Sequence, residues 1–203
     1  MTTAATTRWW WLRHAPVPDS EARISGQLDL PCDTSDQTWF AALAQRLPRN
    51  PVLVDSGMIR CRQTVGGLEA AGMALPPALV EPALAEQNFG RWQGRSWNVL
   101  AAARDPDLPA FWQAPATALP PGGESFAAVV VRVAAVIERL TRDHTGRDIL
   151  AVAHAGTIRA ALSVALDITP AAALAFTIEP LSLTLLDATA AAWRVQGVNW
   201  LPG

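Results

Sequence analysis

Residues 9–14 read Trp-Trp-Trp-Leu-Arg-His: four apolar side chains running straight into an arginine and a histidine. The same design recurs twice further on. Val52–Val54 ends at Asp55-Ser56, and Ile149–Ala153 ends at His154. Runs this short, apolar on both faces and rich in β-branched or aromatic residues, match strands buried in the interior of a parallel sheet. Each is followed by a polar loop and then by a helical pattern. Ser35–Leu47 places Trp39, Phe40, Leu43 and Leu47 at helical spacing, and Arg60–Gly72 ends at glycine, a usual helix stop. Phe126, Val129, Val130, Val133, Ile137 and Leu140 share one helical face, with Glu124 or Ser125 placed to cap it. Gly156–Leu166 follows the third run as a helix, and further strands are expected near Ala175–Ile178, Leu181–Asp187 and Trp193–Val198. Strand–helix alternation of this kind specifies an α/β layered sheet.

The stretch Trp92–Gly123 breaks the alternation. It holds Trp92, Trp97 and Trp112 among prolines and glycines, and is expected to be an excursion that covers one edge of the sheet. The chain is therefore read as a single domain over 1–203, with an insertion or cap at about 92–123.

Composition narrows the function. The 203 residues suit one domain, which at this size buries enough surface to fold without disulfides or metals. The formal net charge is −2, and all 16 basic residues are arginines scattered without a block. A nucleic-acid or acidic-membrane binder needs a concentrated positive face, so neither partner is expected. Cys32 and Cys61 form neither a disulfide framework nor a metal-ligand spacing and are expected as reduced thiols. The N-terminal MTTAATTRWWWLRH lacks the pattern of a signal peptide, and Phe126–Ile137 is too short for a membrane span. A cytoplasmic location is the resulting expectation.

The chain has three histidines, and two of them, His14 and His154, directly follow expected buried strands. Ligands of open α/β sheets bind beyond the carboxyl ends of the strands, so the two imidazoles are expected at one edge. His144, in Arg-Asp-His-Thr-Gly, lies near a helix end and is assigned to the surface. Arg13 precedes His14, Arg60 and Arg62 follow the second strand, and Gly156 opens the helix after His154. Arginine forks match phosphate oxygens, and helix N-termini favour anions. Histidines set among arginines therefore point to a phosphate site. A metal site is disfavoured, because the cations repel metal ions and no carboxylate–histidine cluster is visible.

Beyond this chemistry, six local strings carry a resemblance. LRHAPV at 12–17 resembles the LRHGE signature of the histidine phosphatase superfamily, the phosphoglycerate mutase-like family. GQLDLP at 26–31, SGMIRCRQT at 56–64, EQNFGRWQG at 86–94, PGGES at 121–125 and HAGTIR at 154–159 resemble its further motifs, in the family's order. The resemblance implies a three-layer α/β/α sandwich with a mostly parallel central sheet. It implies His14 as the nucleophile that takes the phosphoryl group, with Arg13, Arg60 and His154 gripping its oxygens. Glu86 is implied as proton donor to the leaving alcohol and then as the base that activates water. Gln27, Ala155 and Gly156 are implied as further contacts to phosphate or substrate. No metal or cofactor is implied.

Two positions depart from the family pattern: Ala15 and Ala155 stand where it has glycine. Alanine resists positive φ, so the backbone donors beside both histidines are expected to be placed differently. Cys61, where the family often has alanine, is read as a packing residue. The Trp9–Trp11 triplet is read as a core strand, Asp105-Pro-Asp107 as a solvated turn, and Arg159 as a structural ion pair. Arg91, Arg95, Trp97 and Trp112 are expected to border the pocket and select the substrate.

The resembled mutases are longer, carry a closing tail and use lysine in the substrate pocket. This chain has no lysine, and only Leu201-Pro202-Gly203 follow its last expected strand. Hydrolysis of a small phosphorylated metabolite is thus the expected activity, as in the family's short bacterial phosphatases, α-ribazole phosphatase among them. The alternatives are a mutase-type phosphotransferase, a non-catalytic phospholigand or protein-binding module on the same fold, and a metal-dependent hydrolase. Oligomeric state is not legible.

Overall fold

A computed structural model describes residues 5–19 and 21–201. The first four residues of the N-terminal stretch and the final Pro202-Gly203 lie outside it. The elements run, in chain order, β1 (Thr7–Arg13), α1 (Gln37–Arg46), β2 (Val52–Asp55), α2 (Ile59–Ala70), β3 (Leu79–Val80), α3 (Trp97–Ala102), α4 (Leu108–Gln113) and α5 (Phe126–Asp143). Then follow β4 (Asp148–Ala153), α6 (Ala155–Leu166), the short α7 (Pro170–Ala173), β5 (Leu183–Ala188) and β6 (Trp193–Trp200). One six-stranded sheet has the order β3-β2-β4-β1-β5-β6. β3, β2, β4 and β1 are parallel to one another, while β5 and β6 run antiparallel.

Side-chain alternation along the central strands makes the layers. Ile149, Ala151 and Ala153 of β4 join Trp9 and Trp11 of β1 against the apolar faces of α5 and α6. Leu150 and Val152 point the other way, with Leu12 and Leu53, against Phe40 and Leu43 of α1 and Cys61 and Leu68 of α2. Because both faces are covered, the strands are apolar throughout. The tryptophan triplet follows the same rule. Trp9 and Trp11 are fully buried on one face with rings stacked at 4.9 Å, and Trp10 turns to the other and donates from its indole to Asp148 at 2.8 Å. α5 begins where Ser125 caps it, its hydroxyl accepting from the Ala128 amide at 3.2 Å.

One expectation changes here. Residues 175–178 form no strand; Ala175 and Phe176 continue the turn after α7, donating to the carbonyls of Ala172 and Ala173. The excursion at 92–123 contains α3 and α4 and builds its own apolar cluster, with Trp92, Leu100 and Phe111 buried and Phe89 and Trp97 packed on them. Phe89 and Trp97 also line the cleft that holds His14, so this segment stands at the carboxyl ends of the strands. Among the described residues, no helix is long and apolar enough to cross a membrane.

Candidate active site

Strand register decides where the site falls. Arg13 of β1 is level with Ala153 of β4, and Asp55 of β2 is level with Val152. The next residues of these three adjacent strands, His14, His154 and Ser56, therefore emerge side by side. β1 leads on to α1 on one face of the sheet and β4 to α6 on the other. The chain thus opens a crevice between β1 and β4, the switch point at which α/β sheets bind ligands. The two imidazole rings stand 5.1 Å apart there, tilted by 59°.

His14 is nearly buried, and its Nδ1 lies 2.7 Å from the carbonyl of Ala15. A carbonyl only accepts, so Nδ1 carries the proton and Nε2 keeps its lone pair. Burial, helped by the charges of Arg60 and Arg13, pushes the His14 pKa down to about 3. The ring is therefore neutral over the physiological range. His154 is also held neutral, by burial first and then by His14 and the two arginines. Its Nδ1 accepts from Arg60 Nε at 3.2 Å, which leaves Nε2–H to donate to the Ser56 hydroxyl at 2.8 Å. The Cys61 thiol lies 3.5 Å from the same Nε2, and burial raises it to about 12.

Arg60 is 1 % exposed yet carries a full charge. Its other two nitrogens donate to the carbonyls of Leu28 and Gly26, at 2.8 and 2.7 Å. The GQLDLP loop thus clamps the guanidinium, and the Asp29 carboxylate ties that loop to the start of α2 through the Ile59 amide at 2.7 Å. Arg13 donates from Nη1 to the Ile178 carbonyl at 2.6 Å, while its buried Nε has no partner among the described residues. Burial lowers the pKa of both arginines, so each gains from a nearby anion.

Glu86 faces the same cavity, of about 380 Å³, as Arg13, His14 and Arg60. One carboxylate oxygen accepts the amide of Gln87 at 2.8 Å and the other the amide of Gly156 at 3.2 Å. Gly156 sits in the first turn of α6, so the helix N-terminus holds the carboxylate. A β-carbon at Gly156 would collide with one oxygen of that carboxylate, the one that accepts the Gln87 amide.

Of the further contacts expected from the sequence, Gln27 donates its side-chain amide to the Glu86 carbonyl at 2.9 Å. Gly156 N–H is engaged by Glu86, and Ala155 opens α6. Neither Ala15 nor Ala155 has a positive φ. Alanine meets no backbone strain at either place, and the expected displacement of donors loses its cause. Arg62 is exposed. Arg91 pairs with Asp107 on the surface, Arg95 is exposed, and neither lines a cavity at the site. Trp97 and Trp112 do line one. Arg159 makes no ion pair among the described residues; its Nε donates to the Phe176 carbonyl at 2.8 Å. Asp105, expected in a solvated turn, accepts the Trp92 indole at 3.2 Å.

Sequence reasoning passed over three bracing residues. Ser56 orients His154. Thr64 accepts the Ala15 amide at 2.8 Å and donates to the Arg60 carbonyl at 2.7 Å, joining the two strand-end loops. Arg132 forks onto Glu124 at 2.9 and 3.0 Å and reaches the Glu86 carbonyl at 3.2 Å, bracing the loop that carries Glu86. Ser56 and Thr64 lie inside the SGMIRCRQT string, whereas Arg132 is the one charge within the apolar run Phe126–Ile137 and carries no such signal.

This fold and this constellation define an α/β protein with two buried histidines and two arginines gathered at the carboxyl ends of its parallel strands. The chain belongs to the histidine phosphatase superfamily (branch 1), whose model matches residues 9–201. It is 33% identical over 165 residues to the bifunctional protein Rv2228c of Mycobacterium tuberculosis, a match covering 79% of this chain and 44% of that protein. The chain thus spans less than half the length of that relative. It is 27% identical over 153 residues to a metal-independent phosphoserine phosphatase of Arabidopsis thaliana, covering 73% of this chain and 64% of that one. Among solved structures, a mycobacterial glucosyl-3-phosphoglycerate phosphatase superposes with a TM-score of 0.81 at 26% identity, covering 96% of this chain and 99% of the other.

Proposed function

We propose that the chain is a metal-independent phosphomonoester hydrolase that works through a phosphohistidine on a small phosphorylated metabolite. The observation that carries this reading is the buried His14 ring, whose Nδ1 lies 2.7 Å from the Ala15 carbonyl. Its Nδ1–H is fixed on the Ala15 carbonyl, so Nε2 is free to attack, with Arg13 and Arg60 beside it and Glu86 lining the same cavity. Phosphoryl transfer needs in-line positioning and concentrated positive charge, and Arg13 and Arg60 lining the cavity with His14 supply the charge.

In the first step His14 Nε2 bonds to phosphorus, the ester P–O bond breaks, and protonated Glu86 gives its proton to the leaving oxygen. In the second, the Glu86 carboxylate takes a proton from water as that oxygen bonds to phosphorus. The N–P bond then breaks, releasing inorganic phosphate and neutral His14. Splitting the hydrolysis in this way replaces one difficult step with two easier ones. Hydrolysis is favoured over transfer to a second substrate because the chain has no lysine to anchor one, as the resembled mutases do.

The test is phosphate release from a panel of phosphomonoesters, in EDTA, by the wild type and His14→Ala. Turnover that persists in EDTA and disappears in the variant supports the reading. Loss of turnover on chelation, or equal turnover by both proteins, overturns it.

A further inference from the structure

Beyond Glu86 lies a second cavity of about 310 Å³ that shares Glu86, Phe89 and Trp97 with the first. Its walls differ in kind from the phosphate site. Trp97 stacks on Phe111 at 5.6 Å and meets Trp112 at 4.9 Å, giving a bank of aromatic rings. Trp112 is 55% exposed, although it is the side chain a folded protein gains most from burying. On the α6 side the cavity is lined by Arg159. That guanidinium is half-buried and is held by a single hydrogen bond, from Nε to the Phe176 carbonyl. Its two terminal nitrogens have no hydrogen-bond or ion-pair partner among the described residues. Burial lowers the pKa of this arginine, and the Glu86 carboxylate, which makes no hydrogen bond to it, offsets that only in part.

α6 sets the order of these groups. Gly156 holds the Glu86 carboxylate, and Arg159 follows three residues later, about one turn along the same helix face. With a substrate phosphate at His14 and the ester oxygen at Glu86, the alcohol has a way past Phe89 and Trp97, which line both cavities, into the aromatic one. From these positions we infer that this cavity is the leaving-group site, and that it selects alcohols carrying a planar ring with an anionic substituent, which Arg159 pairs. The inference rests on the phosphatase reading. It replaces the exposed Arg91 and Arg95 with Arg159 as the charge that reads the substrate, and makes Trp97 and Trp112 the surface on which the ring lies. Offset stacking and a guanidinium–carboxylate fork are interactions each wall can supply.

The experiment compares kcat/KM for phenyl phosphate with that for 3- and 4-carboxyphenyl phosphate, in the wild type, Arg159→Gln and Arg159→Lys. Wild type is expected to favour one carboxylated ester about tenfold, a partly desolvated ion pair being worth about that factor. In Arg159→Gln the preference should fall to near unity, and in Arg159→Lys it should be partly restored. The ratio between two esters does not respond to a merely structural loss, which lowers both alike. Turnover of phenyl phosphate reports on the phosphatase reading separately. If no ester turns over, the affinities of phenylphosphonate and its carboxylated analogues, measured by calorimetry, give the same ratio. A wild-type ratio near unity, or one that Arg159→Gln leaves intact, overturns the proposal.

Discussion

Arg60 donates from Nε to Nδ1 of His154 across 3.2 Å, while its Nη1 and Nη2 are spent on the carbonyls of Leu28 and Gly26. One guanidinium thus fixes the tautomer of an imidazole and the position of a loop together. Lysine brings the same charge but no planar fork, and cannot meet three acceptors in these directions. In Arg60→Lys, kcat is expected to fall about a hundredfold or more, as when a preorganised donor is removed. The unmet buried carbonyls should also cost about 1–3 kcal/mol of stability. Steady-state kinetics and a urea unfolding curve check both. Wild-type values in either would remove the three-point role.

Gly156→Ala separates the proposed acid, Glu86, from the proposed nucleophile, His14. The new β-carbon would occupy the place of the Glu86 carboxylate, whereas His14, Arg13 and Arg60 lie on other elements. Alanine is also the better helix former, by about 1 kcal/mol, so lost folding is not the expected outcome. A misplaced acid matters most for a poor leaving group. Hydrolysis of an alkyl phosphate should fall roughly 10²–10⁴-fold, the usual worth of general acid catalysis, and that of p-nitrophenyl phosphate much less. Equal losses on the two esters would mean that Glu86 is not the acid.

The strand-end histidines were legible because buried parallel strands leave an apolar signature that stops at the first polar residue. The register then does the rest, setting His14 beside His154 and Ser56 although 98 residues separate Ser56 from His154. Where the sequence misled, apolar character was serving another purpose. Ala175–Ile178 looks like a strand, but its carbonyls accept from arginines: Phe176 from Arg159 and Ile178 from Arg13. β3 was missed because its two residues are exposed and make no pattern. Arg132 was missed because its partners, Glu124 and the Glu86 carbonyl, converge only when α5 packs beside the loop. The setting of Arg91 and Arg95 was not legible either, since they precede and follow the buried Trp92 in sequence yet lie exposed at the surface.

Cys61 is fully buried against His154 and Ser56, and burial pushes its thiol up to about 12. The thiolate is the reactive form, so this cysteine should be inert in the folded protein. At pH 8 a disulfide reagent is expected to titrate at most one thiol per chain, that of the half-buried Cys32, and two after denaturation. Rapid labelling of both thiols in the native protein would show that the pocket floor opens.

The two buried imidazoles also tie stability to pH. His14 is held at about 3 and His154 well below its ordinary value, in both cases chiefly by burial. An unfolded histidine titrates near 6.5. Below that value the unfolded chain takes up protons that the folded chain refuses, so acid favours unfolding. The stability tied to these groups is therefore complete above about pH 6.5 and is lost progressively as the pH falls toward 3. Each fully shifted group contributes about 1.4 kcal/mol per pH unit, so the pair should cost roughly 2–3 kcal/mol between pH 6 and pH 5. Urea unfolding at those two pH values measures the loss, and His14→Gln should remove about half of it. The same neutrality keeps Nε2 of His14 unprotonated in the free protein across this range. A fall of kcat/KM between pH 6 and 5 that follows an ordinary histidine titration in the wild type, with stability unchanged, would show that His14 is solvated and charged, and so not the neutral nucleophile proposed above.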